Sequence, residues 1–379
     1  MRAAWQQVAQ AWLETVRALR QDFGVLLLLV AAPLVYAFFY PWPYSLQAVH
    51  RVPVMVVDLD HTSLSRQITR WAGASPRMAL RGVTGSEQDA QQALWRGEIE
   101  GYAILPQDMK RHLLRGTSAV VNVAGDGAYA LLNKAVLYGF SEAVGTASAG
   151  VEIKKLQVSG QSALQAGATR SPVNVQLVAL YNPTEGYGSF VVPAVALLIL
   201  QQTLLIGVAM FIGTMVETGR HRANAAGWIG RILGLASFGY LSGLFYFGWV
   251  FLIQDYPRAA NLSGALVLLL VYIPAVCTLG ALLGVWFGNR ERGMQVLLFT
   301  SLPMAFLAGF SWPAEALPWP LQGLRWLIPS TAGIQASLHL NQMGASLADV
   351  RADLACLGGL TAAASAMLIA FTRPKSLGP

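Results

Sequence analysis

The chain has 379 residues, 55% of them hydrophobic and 12% charged, and its mean hydropathy is +0.48. A soluble protein carries about 25% charged residues, so this balance is that of an integral membrane protein and excludes a wholly soluble enzyme. The formal charge of +7 is scattered between apolar segments instead of gathered on one polar face, which removes the nucleic-acid reading.

Residues 3 to 20 place Trp5, Val8, Trp12, Val16 and Leu19 at helical spacing, with Arg17 and Arg20 toward the membrane end. The pattern predicts an interfacial amphipathic helix over 1–22. The first apolar run, Phe23 to Tyr40, follows arginines as a signal peptide would. Its leader is long, however, and no small-residue cleavage pattern follows Pro41, so it reads as an uncleaved anchor.

Further apolar runs lie at Phe190 to Ile212, Ile232 to Ile253, Leu262 to Phe287, Met294 to Phe310 and Leu354 to Phe371. A spanning helix needs about 20 mainly apolar residues. The expected architecture is therefore an α-helical bundle of six transmembrane helices (23–40, 190–212, 232–253, 262–287, 294–310 and, with its lead-in, 347–372). Between the first two, residues 41–189 form an inserted extracytoplasmic α/β domain.

That insertion alternates. Strands are predicted at 53–59, 77–83, 101–106, 120–125 and 174–180, and helices at 63–73, at 86–97 behind Ser86, and from about Tyr129 into the 150s. After the fifth span, residues 311–346 are apolar but broken by Pro313, Pro318, Pro320 and Pro329, so short re-entrant or interfacial helices are expected. Ser346 to Asp349 is an SxxD capping pattern that would introduce the last span.

Orientation follows from the arginines and lysines of the short loops. With the N-terminus inside, the inner segments carry Arg2, Arg17, Arg20, Arg220, Arg222, Arg231, Arg290, Arg292, Arg373 and Lys375, against Arg258, Arg325 and Arg351 outside. Both termini are then cytoplasmic and the α/β domain lies across the membrane. Tyr40, Trp42, Tyr44, Trp249 and Tyr256 mark the outer edge, and Trp228 and Trp286 the inner one.

The stretch "VVDLDHTSLSR", Val56 to Arg66, contains DxDxT, the nucleophile-loop pattern of haloacid-dehalogenase-type phosphatases. Such an enzyme needs a later lysine and a further acidic pair at the same metal. The best match to that pair, Asp126 in "AGDGA", lacks its second acid. Asp58 and Asp60 are therefore read as capping groups that tie the loop to the following helix. The two cysteines fall in apolar stretches and the five histidines show no HxxxH or HExxH spacing, so no metal site is expected.

Three stretches carry a family resemblance: "VPVMVVDLDHTSLSRQITRW", "LYNPTEGYGSFVVPAVALLILQQTLLIG" and "FTSLPMAFLAGFSWPAEALPWPLQGLRWLIPSTAGIQASLHLNQMGA". In order, and with the YNP, GFSWP, PST and NQMGA segments, they resemble the membrane subunit of ABC-2 type exporters with a large periplasmic domain between spans one and two. The resemblance implies two permeases, alike or paralogous, working with two ATP-binding cassette subunits in a bacterial inner membrane. No GxxxxGK[ST] occurs in the chain, so ATP and Mg would be handled by the partner, with no cofactor held here and no catalytic residue. A periplasmic membrane-fusion adaptor is a further expected partner of the outer domain. A membrane-anchored sensor with a ligand-binding ectodomain is the alternative.

The candidate coupling residues lie in the two inner loops: Glu217, Arg220, His221 and Arg222 in 213–231, and Arg290 and Glu291 in the second. The arginines are also explained by membrane topology alone. Gln201, Gln202 and Thr203 sit mid-span, where they either face a translocation path or bond neighbouring helices. Ser301 and Pro303 mark a kink and an outer-gate hinge. Gly280, Gly284 and Gly288, like Gly239 and Gly243, read as close-packing positions, with a seam to a second permease as the alternative.

Overall fold

The computed structural model describes residues 2–172, 178–258 and 261–373. The chain divides into a helical unit, Met1–Gln47 with Ala179–Pro379, and an α/β unit, Ala48–Val178.

In the α/β unit a four-stranded sheet has the order β2-β1-β3-β4, from β1 (Val52–Asp58), β2 (Met78–Thr84), β3 (Gly101–Leu105) and β4 (Asn122–Gly125). β1 runs parallel to both β2 and β3, with a bulge between Val54 and Met55, while β4 is antiparallel to β3. Alternation along β1 explains the layers. Val52, Val54 and Val56 pack on Ile68 and Ala72 of α4 (Ser63–Ala74) and on Val136 and Phe140 of α7 (Ala130–Val158). Val57 turns to the other face with Ala90 and Ala93 of α5 (Glu87–Trp95).

Two short helices here are absent from the sequence reading, α6 (Met109–Leu114) and α8 (Ala163–Arg170). The strand expected at 174–180 is not formed over 178–180, and its remainder lies outside the described residues.

In the helical unit α1 (Arg2–Gln21) covers the predicted amphipathic stretch, but its inner face is covered by protein. Thr15 and Leu19 are buried, Trp12 donates its indole N–H to Ser237 Oγ at 3.0 Å, and Trp5 remains 72% exposed. The first span is α2 (Phe23–Leu26), a π-helical turn Leu27–Ala31 and α3 (Ala32–Phe39). α9 (Tyr187–Glu217) and α12 (Leu262–Phe287) are continuous helices; α10 (Ala225–Leu244) leads through a second π segment into α11 (Phe251–Ile253).

α9 is longer than its apolar run at both ends, so the non-helical part of the loop expected at 213–231 shrinks to 218–224. Gly280 and Gly284 of α12 are covered by α9: a Cβ there would meet the carbonyl oxygens of Leu205 at 3.1 Å and Ala209 at 2.8 Å. The chain's own helix occupies the position that a second permease would need for a seam on these two residues.

Among the described residues five helices are long and apolar enough to cross a membrane. The run expected as a fifth span, 294–310, is helical only to Leu307, in α13 (Arg290–Leu307), which begins with three charged residues, Arg290, Glu291 and Arg292. Residues 311–346 hold α14 (Trp319–Leu324), α15 (Pro329–Ser337) and three single-turn 3-10 or π segments. α15 is almost wholly buried against α9, α12 and α16 (Arg351–Thr372). The SxxD pattern does not cap α16. Asp349 accepts from the backbone and hydroxyl of Ser346 and closes a separate turn, and the helix starts after Val350 without a side-chain cap.

Prolines inside these helices leave carbonyls without their usual donor. Three are supplied from a neighbouring segment. Ser242 Oγ donates to Leu29, four residues before Pro33, at 3.3 Å; Gln342 Nε2 donates to Ser189, before Pro193, at 3.3 Å; Tyr240 donates to Leu270, before Pro274, at 3.4 Å. For Pro303 no side chain among the described residues donates to Phe299.

Tyr246 adds a buried bond from its hydroxyl to the carbonyl of Pro33 at 2.8 Å. Tyr246→Phe is expected to lower the unfolding free energy in nanodiscs by about 1 kcal/mol, with Tyr138→Phe on the exposed face of α7 unchanged. Equal stability of the two variants would remove that bond from the support of the first span.

Candidate functional site

The polar groups of the helical unit concentrate where α2, α9 and α13 have their ends. Asp22 caps α2 by accepting from the backbone N–H of Val25, and Asn289 caps α13 by accepting from those of Glu291 and Arg292. These caps aim Arg290 at Asp22. The guanidinium donates Nη1 to Oδ2 at 2.5 Å and Nη2 to Oδ1 at 2.8 Å, a two-pronged ion pair, with a further bond to Thr214 Oγ1 at 3.1 Å.

Glu217, at the last turn of α9, accepts from the backbone N–H of Arg290 at 3.2 Å. This close approach needs Gly213, where a Cβ would lie 2.9 Å from the backbone of Arg290. The hydrogen bonds from Arg290 hold the Asp22 carboxyl below its ordinary range against the opposing effect of burial, and Asp22 raises Arg290 in return.

The adjacent loop is shaped by Arg231 of α10. It donates to the carbonyls of His221 at 2.8 Å and Arg220 at 3.0 Å while its guanidinium lies over the Trp228 ring. Trp228 in turn donates to Thr372 Oγ1 at 2.6 Å, which fastens α10 to the end of α16. Arg220 and Arg222 are exposed or on the loop surface, and Glu291 is exposed at the start of α13. Burial, with the charges of Arg222 and Arg231 behind it, pushes the His221 imidazole below its ordinary value.

The mid-span group is a separate place. Gln201 is fully buried and accepts from the backbone N–H of Ser330, at the start of α15, at 2.5 Å. Gln202 Nε2 reaches Met304 Sδ of α13 at 3.4 Å, and Thr203 returns its hydroxyl to Ile199 on its own helix at 2.9 Å. Gln201 Nε2, Gln202 Oε1 and the hydroxyls of Ser330 and Thr331 are buried with no hydrogen-bond partner among the described residues. Ser301 bonds to Leu298 at 2.7 Å and Pro303 is exposed.

In the α/β unit, Asp58 accepts from the backbone of Asp60 at 3.0 Å and His61 at 2.9 Å and from Ser65 Oγ at 2.8 Å. Asp60 binds Thr62 Oγ1 and the backbone N–H of Lys110. Thr62 is the N-cap of α4, in a reciprocal box with Ser65. Asp126 follows Gly125, which pairs with Gly101 at the start of β3, whereas Asp58 ends β1 beside Leu105 at the end of β3. The two acids of the phosphatase pattern therefore lie at opposite ends of the sheet. Among the described residues no three His, Cys, Asp or Glu side chains come together as metal ligands would.

The structure thus brings Glu217 and Arg290 together, sets Arg220, His221 and Arg222 in the adjacent loop, and leaves Gln201, Gln202 and Thr203 elsewhere. Asp22, Thr214 and Asn289 are given no role by the sequence, and Arg231 enters there only as one of the inner charges that set the orientation. Asp22 had a visible signal, being the lone acidic residue between Glu14 and Asp58 and standing directly before an apolar run.

The sequence profile of the ABC-2 family transporter proteins matches residues 23–371. The chain belongs to this family. It is a multi-pass membrane component of an ABC-2 transporter, and the family implies association with ATP-binding cassette subunits. No curated protein matches the chain.

Protonating His221 charges a group already facing Arg222 and Arg231. Its value in the folded loop is depressed, so the loop keeps its full stability above the ordinary value of 6.5 and loses it as pH falls through the folded value. Hydrogen exchange at 220–224 of the ABC-2 protein, corrected for intrinsic rates, is expected to speed up below that pH and to stay flat in His221→Gln. Protection that rises on acidification would contradict this electrostatic description.

Proposed function

We propose that this ABC-2 family member is the permease subunit of an ATP-driven exporter in a bacterial inner membrane. It works as a pair, with itself or with a paralogue, and moves a hydrophobic or amphipathic substrate out of the cytoplasm. ATP and Mg are handled by the separate cassette subunits. In this reading α13 completes a set of six spans, both termini are cytoplasmic, and the α/β unit is periplasmic, where it can meet a membrane-fusion adaptor. The positive-inside distribution of arginines supports that orientation.

The observation that carries the coupling step is the Asp22–Arg290–Glu217 node. One arginine joins the ends of three helices, beside the loop that holds Arg220, His221 and Arg222. A cassette subunit pressing on that loop or on Glu291 would displace α2, α9 and α13 together. Gln201, Gln202 and Thr203 supply the polar part of the path. At the far end of α13, Ser301 and Pro303 form the hinge, which agrees with Phe299 having gained no side-chain donor.

The test is ATP hydrolysis by the co-purified cassette subunit in nanodiscs. Glu217→Ala removes the charged acceptor of one hydrogen bond, worth about 1.5 kcal/mol, and is expected to cut permease-dependent hydrolysis about tenfold with membrane insertion intact. Pro303→Ala should slow turnover without weakening cassette binding. Wild-type rates in both variants would dismiss the two roles.

A further inference from the structure

On the α/β unit, the sheet face covered by α4, α6 and α7 is not closed. An open groove of about 780 Å³ runs between these helices, inside the range of roughly 300–1,000 Å³ that small-molecule sites occupy. Leu64 and Trp71 of α4, Leu113 and Leu114 of α6, and Val151 and Val158 of α7 form its walls. A second hollow of about 370 Å³ shares Leu64, Leu113 and Val151 and extends the first toward Val121. Leu114 is 79% and Val158 87% exposed, so apolar surface faces water with nothing gained from the fold in return.

The charge of the groove is one-sided. Lys110, Lys154 and Lys155 line it, and no Asp or Glu among the described residues does. Ser63 Oγ accepts from Lys110 Nζ at 2.9 Å and fixes that ammonium at the wall. Glu152 reaches only the smaller hollow and is within 3.7 Å of Arg170. A neutral apolar ligand would make no use of the three ammonium groups, and a small inorganic anion would leave the leucines and Trp71 wet.

We propose that this groove binds a single-chain amphipathic anion, an alkyl or acyl tail ending in a carboxylate, sulfate or phosphate. The tail lies along the apolar walls and the head meets the lysines, by charge complementarity. A two-chain anionic phospholipid has the same chemistry, and the experiment below distinguishes the two. The inference goes beyond the transport reading and does not depend on it, because binding is measured without ATP or a cassette subunit.

The probe is hexadecanoate carrying a diazirine, photolysed with the full-length chain in nanodiscs of zwitterionic lipid and mapped by peptide mass spectrometry. Label is expected in α4, α6 and the second half of α7, competed by unlabelled hexadecanoate and not by hexadecylamine. Replacing Lys110, Lys154 and Lys155 together by Gln should weaken labelling about tenfold. Gly150→Trp places a side chain in the groove where a Cβ meets open space, and should abolish labelling with the thermal transition unchanged. Label confined to the membrane helices, equal competition by the amine, or indifference to both variants would overturn the proposal. So would labelling of the same peptides by photoreactive phosphatidylglycerol with none by the acid.

Discussion

The helical unit depends on one constraint: α9, a helix of 31 residues that is apolar along most of its length, carries Ser189, Gln201 and Thr203 on its buried surface, and polar groups at that depth have to face protein instead of lipid. α12 and α13 lie along it, α15 closes on its middle, and the first span and α10 complete the enclosure. Close approach fixes the arrangement, since Gly280 and Gly284 bring the α12 backbone onto carbonyls of α9. In such surroundings an unpaired backbone group has no water to turn to. The donors that Ser242, Gln342 and Tyr240 supply to proline-freed carbonyls are therefore a second set of ties. They make the segments specific partners as well as greasy neighbours.

Rigid packing along α9 gives a local charge event a long reach. Arg290 is held by Asp22, Thr214 and Glu217, which belong to two other segments. In the proposed coupling, a push on any one of these ends would be shared by the others before it reached the middle of the bundle. Where α9 meets α15, Gln201 Nε2 and the hydroxyls of Ser330 and Thr331 are buried with no hydrogen-bond partner among the described residues. Among the described residues, Pro303 differs from Pro33, Pro193 and Pro274 in that no side chain donates to the carbonyl four residues before it. In the proposed mechanism this is where α13 would bend.

Five of the six expected spans were legible as helices because twenty apolar residues in lipid have one backbone solution, and α12 begins and ends where the apolar run does. Four strands of the α/β unit were legible from apolar runs, and Ser86 was legible at the start of α5; the expected strand at 174–180 is not formed over 178–180, and the Thr62 cap of α4 was not read. α6 and α8, at six and eight residues, are too short to show a helical period. The three charges at the head of α13 explain why its apolar run and its helix differ. Glu217 stood out as an acid unexplained by membrane topology, but its partner did not, because a contact across 73 residues leaves no trace in local spacing. The same holds for Asp22 and Arg290, 268 residues apart.

The central claim is that the Asp22–Arg290 pair makes three helix ends act as one body in coupling. The most direct measurement is a charge reversal read by permease-dependent ATP hydrolysis in the assembled transporter. Asp22→Arg and Arg290→Asp are each expected to depress it while the chain still inserts and binds its partner, and the double variant to recover most of the wild-type rate. A double variant no better than the worse single one, or single variants that couple normally, would contradict it.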